Sequence, residues 1–223
     1  MSLYVFGDSN CRGYNLDNEE KSWPALLSQH LGTDLINKSE VAVDNFFIYQ
    51  SILQECHNIK DNDYVVVGWT HPNRKTFVMD KTQPKHVELL PHSLTYQTGN
   101  MDFFRYDGTK RGNPLHRAFN LDPQNSGHDF FDTWFELYHS DYEQKTQLCA
   151  FVDSVKLRFS KSINFFFSKE SMHDINIDEK DTLCILDFIV ENKLYISKSD
   201  YHLNEHGHKI LAELLLDKIP SFC

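Results

Sequence analysis

Leu3-Tyr4-Val5-Phe6-Gly7-Asp8-Ser9-Asn10 is the stretch on which the fold turns. Its first four residues are an unbroken apolar run and its last four are turn formers. That spacing predicts a short buried strand ending abruptly in a loop. A serine directly after such a strand can direct its hydroxyl into the crevice at the strand's carboxyl end, where ligands of open α/β sheets bind. Its own N–H then sits at a turn, placed to donate to an oxyanion. Asp8 can accept backbone N–H bonds and hold that turn. Gly-Asp-Ser alone is a common turn tripeptide, so the rest of the chain must supply its partners.

Outward from this strand the elements alternate. Trp23 to Leu31 carries Trp23, Leu26, Leu27 and Leu31 at helical spacing, with Pro24 in the first turn and Gly32 as terminator. Leu35-Ile36 reads as a second strand and Asn45 to Cys56 as a second helix. Tyr64-Val65-Val66-Val67 is β-branched without alternation, the pattern of a central parallel strand buried on both faces. Strand and helix in turn imply an α/β fold with a parallel sheet covered on both sides.

From 72 to about 127 the rhythm breaks, in a stretch rich in Gly, Pro, Asn and His that is far longer than an ordinary connection. Lys75 to Val78 and His86 to Leu90 read as small strands within it. It is an insertion that either covers the cleft or makes a surface excursion apart from the chemistry. Beyond it, Phe130 to Tyr138 and Tyr142 to Phe159 read as helices and Ile163 to Phe167 as a strand. Leu183 to Val190 fits either a strand or a helix. Glu205 to Lys218 is a closing helix with Ile210, Leu211, Leu214 and Leu215 on one face. Without repeats or linkers, residues 1–223 are expected to form one domain.

Composition excludes several classes. The formal net charge of -10 over 223 residues lacks the clustered cations that phosphate binding needs, which argues against a nucleic-acid partner. Five cysteines (Cys11, Cys56, Cys149, Cys184, Cys223) are scattered and form no CxxC pair. Neither a disulfide framework nor structural zinc is expected. No apolar run reaches the ~18 residues of a membrane span, and the chain opens straight into its first strand rather than a signal segment. The expectation is a soluble, cytoplasmic protein with no membrane partner. The sequence is silent on oligomeric state.

Two later stretches carry chemistry. Ser199-Asp200-Tyr201-His202-Leu203-Asn204, on an expected loop before the last helix, offers what a serine lacks: a base, and a carboxylate to orient it. His202, His206 and His208 lie close enough in sequence to raise a metal site. The HExxH pattern is absent, however, and Gly207 interrupts the helix start, so no metal is expected. His206 and His208 read as solvent-facing or helix-capping residues. Gly68-Trp69-Thr70-His71, placed after the central strand with Arg74 nearby, is a cleft rim or simply a turn with core filling.

In order, these blocks resemble the SGNH (GDSL-like) hydrolases, from Val5 to Leu215 outside the insertion. Gly7-Asp8-Ser9 resembles the family's nucleophile block, which implies Ser9 as nucleophile and first oxyanion-hole donor. Asn37 to Asn45 resembles the second block, with Ala42 at the glycine whose N–H also serves the oxyanion hole. Gly68-Trp69-Thr70 stands where the family has Gly-x-Asn-Asp, which leaves the Thr70 hydroxyl in place of an asparagine amide. Asp200-x-His202-Leu203-Asn204, then Gly207-His208, resembles the last block with a one-residue spacing between Asp and His. Asp8, Asn45, Trp69 and Arg74 are further candidates for support or substrate contact.

The resemblance implies a flavodoxin-like three-layer α/β/α sandwich and a cofactor-free Ser9–His202–Asp200 triad. That triad would act through an acyl-enzyme on small-molecule or carbohydrate esters with short acyl groups. Two further readings stay open: a binding module with a decayed site, favoured by Ala42 and Thr70, and an acyltransferase using the same triad. Losing one side-chain donor of an oxyanion hole costs ~10²–10³ in rate, so a slow enzyme fits these substitutions.

Overall fold

β1 (Ser2–Phe6) runs straight into α1 (Ser9–Arg12), one turn of helix closed by Gly13 in the left-handed region at φ 80°. A 3₁₀ turn (Glu19–Lys21) leads into α2 (Trp23–Leu31), β2 (Asp34–Asn37), α3 (Asn45–Glu55) and β3 (Tyr64–Trp69). β4 (Lys75–Asp80), β5 (Tyr96–Thr98) and β6 (Met101–Tyr106) follow, then α4 (Asp141–Arg158) and β7 (Ser162–Phe166). The chain finishes with β8 (Leu183–Cys184), α5 (Leu186–Glu191), β9 (Tyr195–Ser197), β10 (Asp200–Leu203) and α6 (Glu205–Lys218). This computed structural model describes residues 1–41, 43–70, 75–80, 96–98, 101–106, 140–167, 183–197 and 200–219.

Five strands form one parallel sheet in the order β2-β1-β3-β7-β8. The chain moves from β1 outward to β2 and then returns to the other side of β1 with β3. The strand order therefore reverses between β1 and β3, the kind of place where ligands of open α/β sheets bind. Alternation along β1 divides the core. Leu3 and Val5 join α2, α5 and α6 on one face, while Tyr4 and Phe6 join α3 and α4 on the other. The result is a three-layer α/β/α sandwich, with β3 at its centre as its β-branched run predicted.

Two compact units divide the chain. One combines Met1–Pro72 with Lys145–Cys223 and holds the parallel sheet; the other spans Asn73–Gln144. The second unit contains an antiparallel sheet in the order β4-β6-β5. It starts where the sequence rhythm breaks and runs on to Gln144, past the expected end near 127. The expected strand at His86 to Leu90 and helix at Phe130 to Tyr138 lie outside the described residues.

Three sequence expectations are corrected. β3 continues through Gly68 and Trp69, so these residues belong to the sheet rather than to a loop after it. Leu183 to Val190 is neither one strand nor one helix but β8 followed by α5. Asp200 and His202 lie on a strand, β10, paired antiparallel to β9.

Gly68 is required where it stands. A Cβ there would lie 2.4 Å from Cys11 Sγ and 2.6 Å from Phe165 Cζ. Both neighbours are fully buried, so neither has room to retreat. Gly68→Ala is expected to cost about 2–3 kcal/mol by overpacking. Thermal unfolding should show a fall of about 2–4 °C per kcal/mol for a chain of this size.

Candidate active site

The turn after β1 is built by Asp8. Its Oδ1 accepts the Asn10 N–H at 3.1 Å, the two-residue reach by which an aspartate mimics a backbone turn. Ser9 opens α1 and is 2% exposed. As the first helical residue it has no intrahelical acceptor for its N–H.

The same two-residue device recurs at the other end of the chain. Asp200 Oδ1 accepts the His202 N–H at 3.0 Å and lies 2.5 Å from His202 Nδ1. This explains how a one-residue spacing serves: the side chain that turns the backbone also reaches the ring. A register shift between Asp200 and Leu203 marks a β-bulge, a device that re-aims side chains beside sites. His202 Nε2 lies 2.8 Å from Ser9 Oγ. A carboxylate only accepts, so Nδ1 carries the proton toward Asp200 and Nε2 is left to accept from the serine hydroxyl. Burial alone would raise the Asp200 pKa, but the bonds from the His202 N–H and ring, with that from Asn15, outweigh it. Asp200 is therefore held below the usual carboxylate range, ionised and fit to orient an imidazole.

Further bonds fasten the two chain ends together. Asn10 Oδ1 accepts the Leu203 N–H at 3.1 Å, and its carbonyl accepts Trp23 Nε1 at 3.1 Å. Asn15 Nδ2 donates to Asp200 Oδ2 at 3.3 Å. The Tyr14 ring stands 4.9 Å from the His202 ring. Sequence reasoning missed the roles of Asn10, Tyr14 and Asn15, because asparagine and tyrosine in a stretch punctuated by Gly7 and Gly13 signal no more than a turn.

Other candidates change roles. Thr70 Oγ1 donates its single hydrogen to Asp8 Oδ2 at 2.8 Å, which removes it as the expected oxyanion donor; its hydroxyl braces the nucleophile turn. Asn45 is a clamp rather than a substrate contact: its amide accepts the Thr70 N–H at 2.8 Å and donates to the Thr70 carbonyl at 3.1 Å. Trp69 is fully buried and donates through Nε1 to Asn164 at 2.9 Å, so it fills the core instead of facing substrate. Asn37 stays near the site, donating to the Cys11 carbonyl and accepting the Ser39 N–H. Ala42 and Arg74 lie outside the described residues.

The three histidines serve different ends. His206 is exposed. His208, buried in α6, accepts the Trp23 N–H at 3.2 Å. It thereby satisfies the α2 N-terminus, where the Ser22 side chain makes no capping bond. Burial, helped by the charge of His202, pushes the His208 pKa down to about 4. The unfolded chain, with an ordinary histidine, binds more protons between about pH 6.5 and 4, so stability falls as pH drops through that window. Between pH 7 and pH 5 this is worth about 2 kcal/mol. Denaturant unfolding at the two pH values should show a slope that His208→Gln flattens by about that amount.

The sheet order defines the class at the level of the fold: a three-layer α/β/α sandwich shared with a solved esterase structure. Among solved structures, the chain is similar to the psychrotrophic esterase EstA from Pseudoalteromonas sp., inhibited by monoethylphosphonate. The TM-score is 0.51 at 14% identity, over 99% of this chain and 97% of that one. It is also similar to a member of the lipolytic protein G-D-S-L family from Veillonella parvula, with a TM-score of 0.49 at 11% identity over 97% of each chain. A Corynascus carbohydrate esterase family 2 enzyme plus carbohydrate binding domain matches with a TM-score of 0.44 at 14% identity. That match takes in 99% of this chain and 66% of the other. No protein-family model matches the chain, and no curated protein matches its sequence. Among the described residues, no helix is long and apolar enough to cross a membrane.

Proposed function

We propose that this chain is a serine esterase that hydrolyses carboxylic esters of small acyl groups through Ser9, His202 and Asp200. The observation that carries the reading is the continuous line from Asp200 Oδ1 through the His202 ring to Ser9 Oγ, with 2.8 Å at its reacting end. His202 Nε2 takes the serine proton as Oγ bonds to the ester carbonyl carbon, and the carbonyl electron pair moves to oxygen. The Ser9 N–H, which has no acceptor within its own helix, holds that oxyanion. The oxyanion collapses and breaks the bond to the alcohol, which leaves with the proton from His202. Water, activated by the same imidazole, then releases the acid from Ser9. Asp200 keeps its charge throughout, orienting the ring and stabilising the imidazolium.

The likeness to an esterase inhibited by a phosphonate supports the same chemistry here. The family resemblance points to acetyl groups, including O-acetyl groups on carbohydrate. Turnover of p-nitrophenyl esters of rising chain length, and of an acetylated xylo-oligosaccharide, tests this. The expected result is fastest release from the acetyl and butyryl esters. Folded protein that releases nothing above buffer from any of them would favour a binding module. Acyl transfer to an added sugar in preference to water would make the chain a transferase.

A further inference from the structure

Asn15 holds a backbone conformation that side chains rarely adopt. Its φ is 65°, in the left-handed region, two residues beyond the glycine that closes α1. Glycine would occupy this position without steric cost, so an asparagine here calls for a reason. The side chain supplies one. Its amide crosses to the far end of the sequence and donates to Asp200 Oδ2 at 3.3 Å. The other oxygen, Oδ1, serves the backbone and ring of His202. The two oxygens of Asp200 are thus divided between two elements.

We infer that Asn15 is a positioning residue that fixes the plane of the Asp200 carboxylate, so that Oδ1 stays aimed at His202. The inference rests on the reading of Ser9, His202 and Asp200 as the reacting groups. The terminal torsion of an aspartate is soft and nearly two-fold, so a carboxylate held at one oxygen alone can rock or flip. A donor on the second oxygen, arriving from a different turn, removes that freedom and favours the charged form. Tyr14, from the same turn, stands against the His202 ring, and His208 on α6 feels the His202 charge. Seated just beyond the nucleophile's own helix turn, Asn15 also ties the base's orientation to the position of Ser9.

The test is the second-order rate of labelling by an alkyl fluorophosphonate from pH 5 to 9, in wild type, Ser9→Ala, Asn15→Gly and Asn15→Asp. Glycine keeps the left-handed turn and removes only the amide. Asn15→Gly should label about tenfold more slowly, with its unfolding midpoint preserved. Asn15→Asp sets a second carboxylate against Asp200 and favours the imidazolium, so the acid limb of its profile should move to higher pH. A merely structural asparagine would leave the labelling rate of Asn15→Gly at the wild-type value. If either variant matches wild type in both rate and acid limb, the positioning role is overturned and the reading of Ser9 stands. Wild-type protein that labels no faster than Ser9→Ala overturns both.

Discussion

Ser9→Ala is expected to lower kcat on p-nitrophenyl acetate by on the order of 10⁴–10⁶ while leaving the fold intact. The size follows from the loss of a whole covalent step. Without Oγ no acyl-enzyme forms, and the remaining help comes from oxyanion donors and substrate binding. The fold should tolerate the change because the His202 side chain that buried Ser9 Oγ meets is itself 28% exposed. Water can replace the lost partner there, so the stability change should stay near 1 kcal/mol or below. Steady-state kinetics with a thermal melt on the same preparation separates a lost nucleophile from a lost fold. A fall in rate that tracks unfolding would remove Ser9 from the chemistry.

Asp200→Asn is expected to cost about 10⁴ in kcat, for a reason visible in the hydrogen bonds. The carboxylate accepts at both oxygens: from His202 at Oδ1 and from Asn15 at Oδ2. An amide has one oxygen to offer. If that oxygen faces His202, its NH₂ group confronts the NH₂ of Asn15. If it faces Asn15, its NH₂ donates to Nδ1 and drives the imidazole proton onto Nε2, where it cannot accept from Ser9. The first orientation loses the charge that stabilises the imidazolium and the second also sets the wrong tautomer, so both weaken the base. The loss should fall on kcat with KM little changed, because substrate does not meet Asp200 in this mechanism. A KM effect alone would make Asp200 a binding residue.

Ser9, Asp200 and His202 stood out as candidates in the sequence because each carries a type of chemistry that few other residues can supply, the first directly after a strand and the other two on an expected loop before the last helix. The central strand was equally plain, since four β-branched or aromatic residues in a row have few other uses in a soluble domain. What the sequence hid are roles decided by a partner far along the chain. Nothing local distinguishes a Thr70 hydroxyl that points at substrate from one that donates to Asp8. The three asparagines Asn10, Asn15 and Asn45 all act through bonds spanning at least 25 positions. β10 was read as a loop because its pairing with β9 is short and broken by a bulge. Trp69 reads from sequence as either cleft rim or core filling, because a large aromatic at a strand end serves both with the same letters. Its bond to Asn164 and its complete burial decide for the core.

Covalent capture of the serine tests the central claim most directly: an alkyl fluorophosphonate is added to wild-type and His202→Ala protein, and the adduct is located by peptide mass mapping. The account predicts one adduct, on Ser9, formed in the wild type and lost in His202→Ala although Ser9 is still present. No adduct on Ser9, or equal labelling of the two proteins, would contradict it.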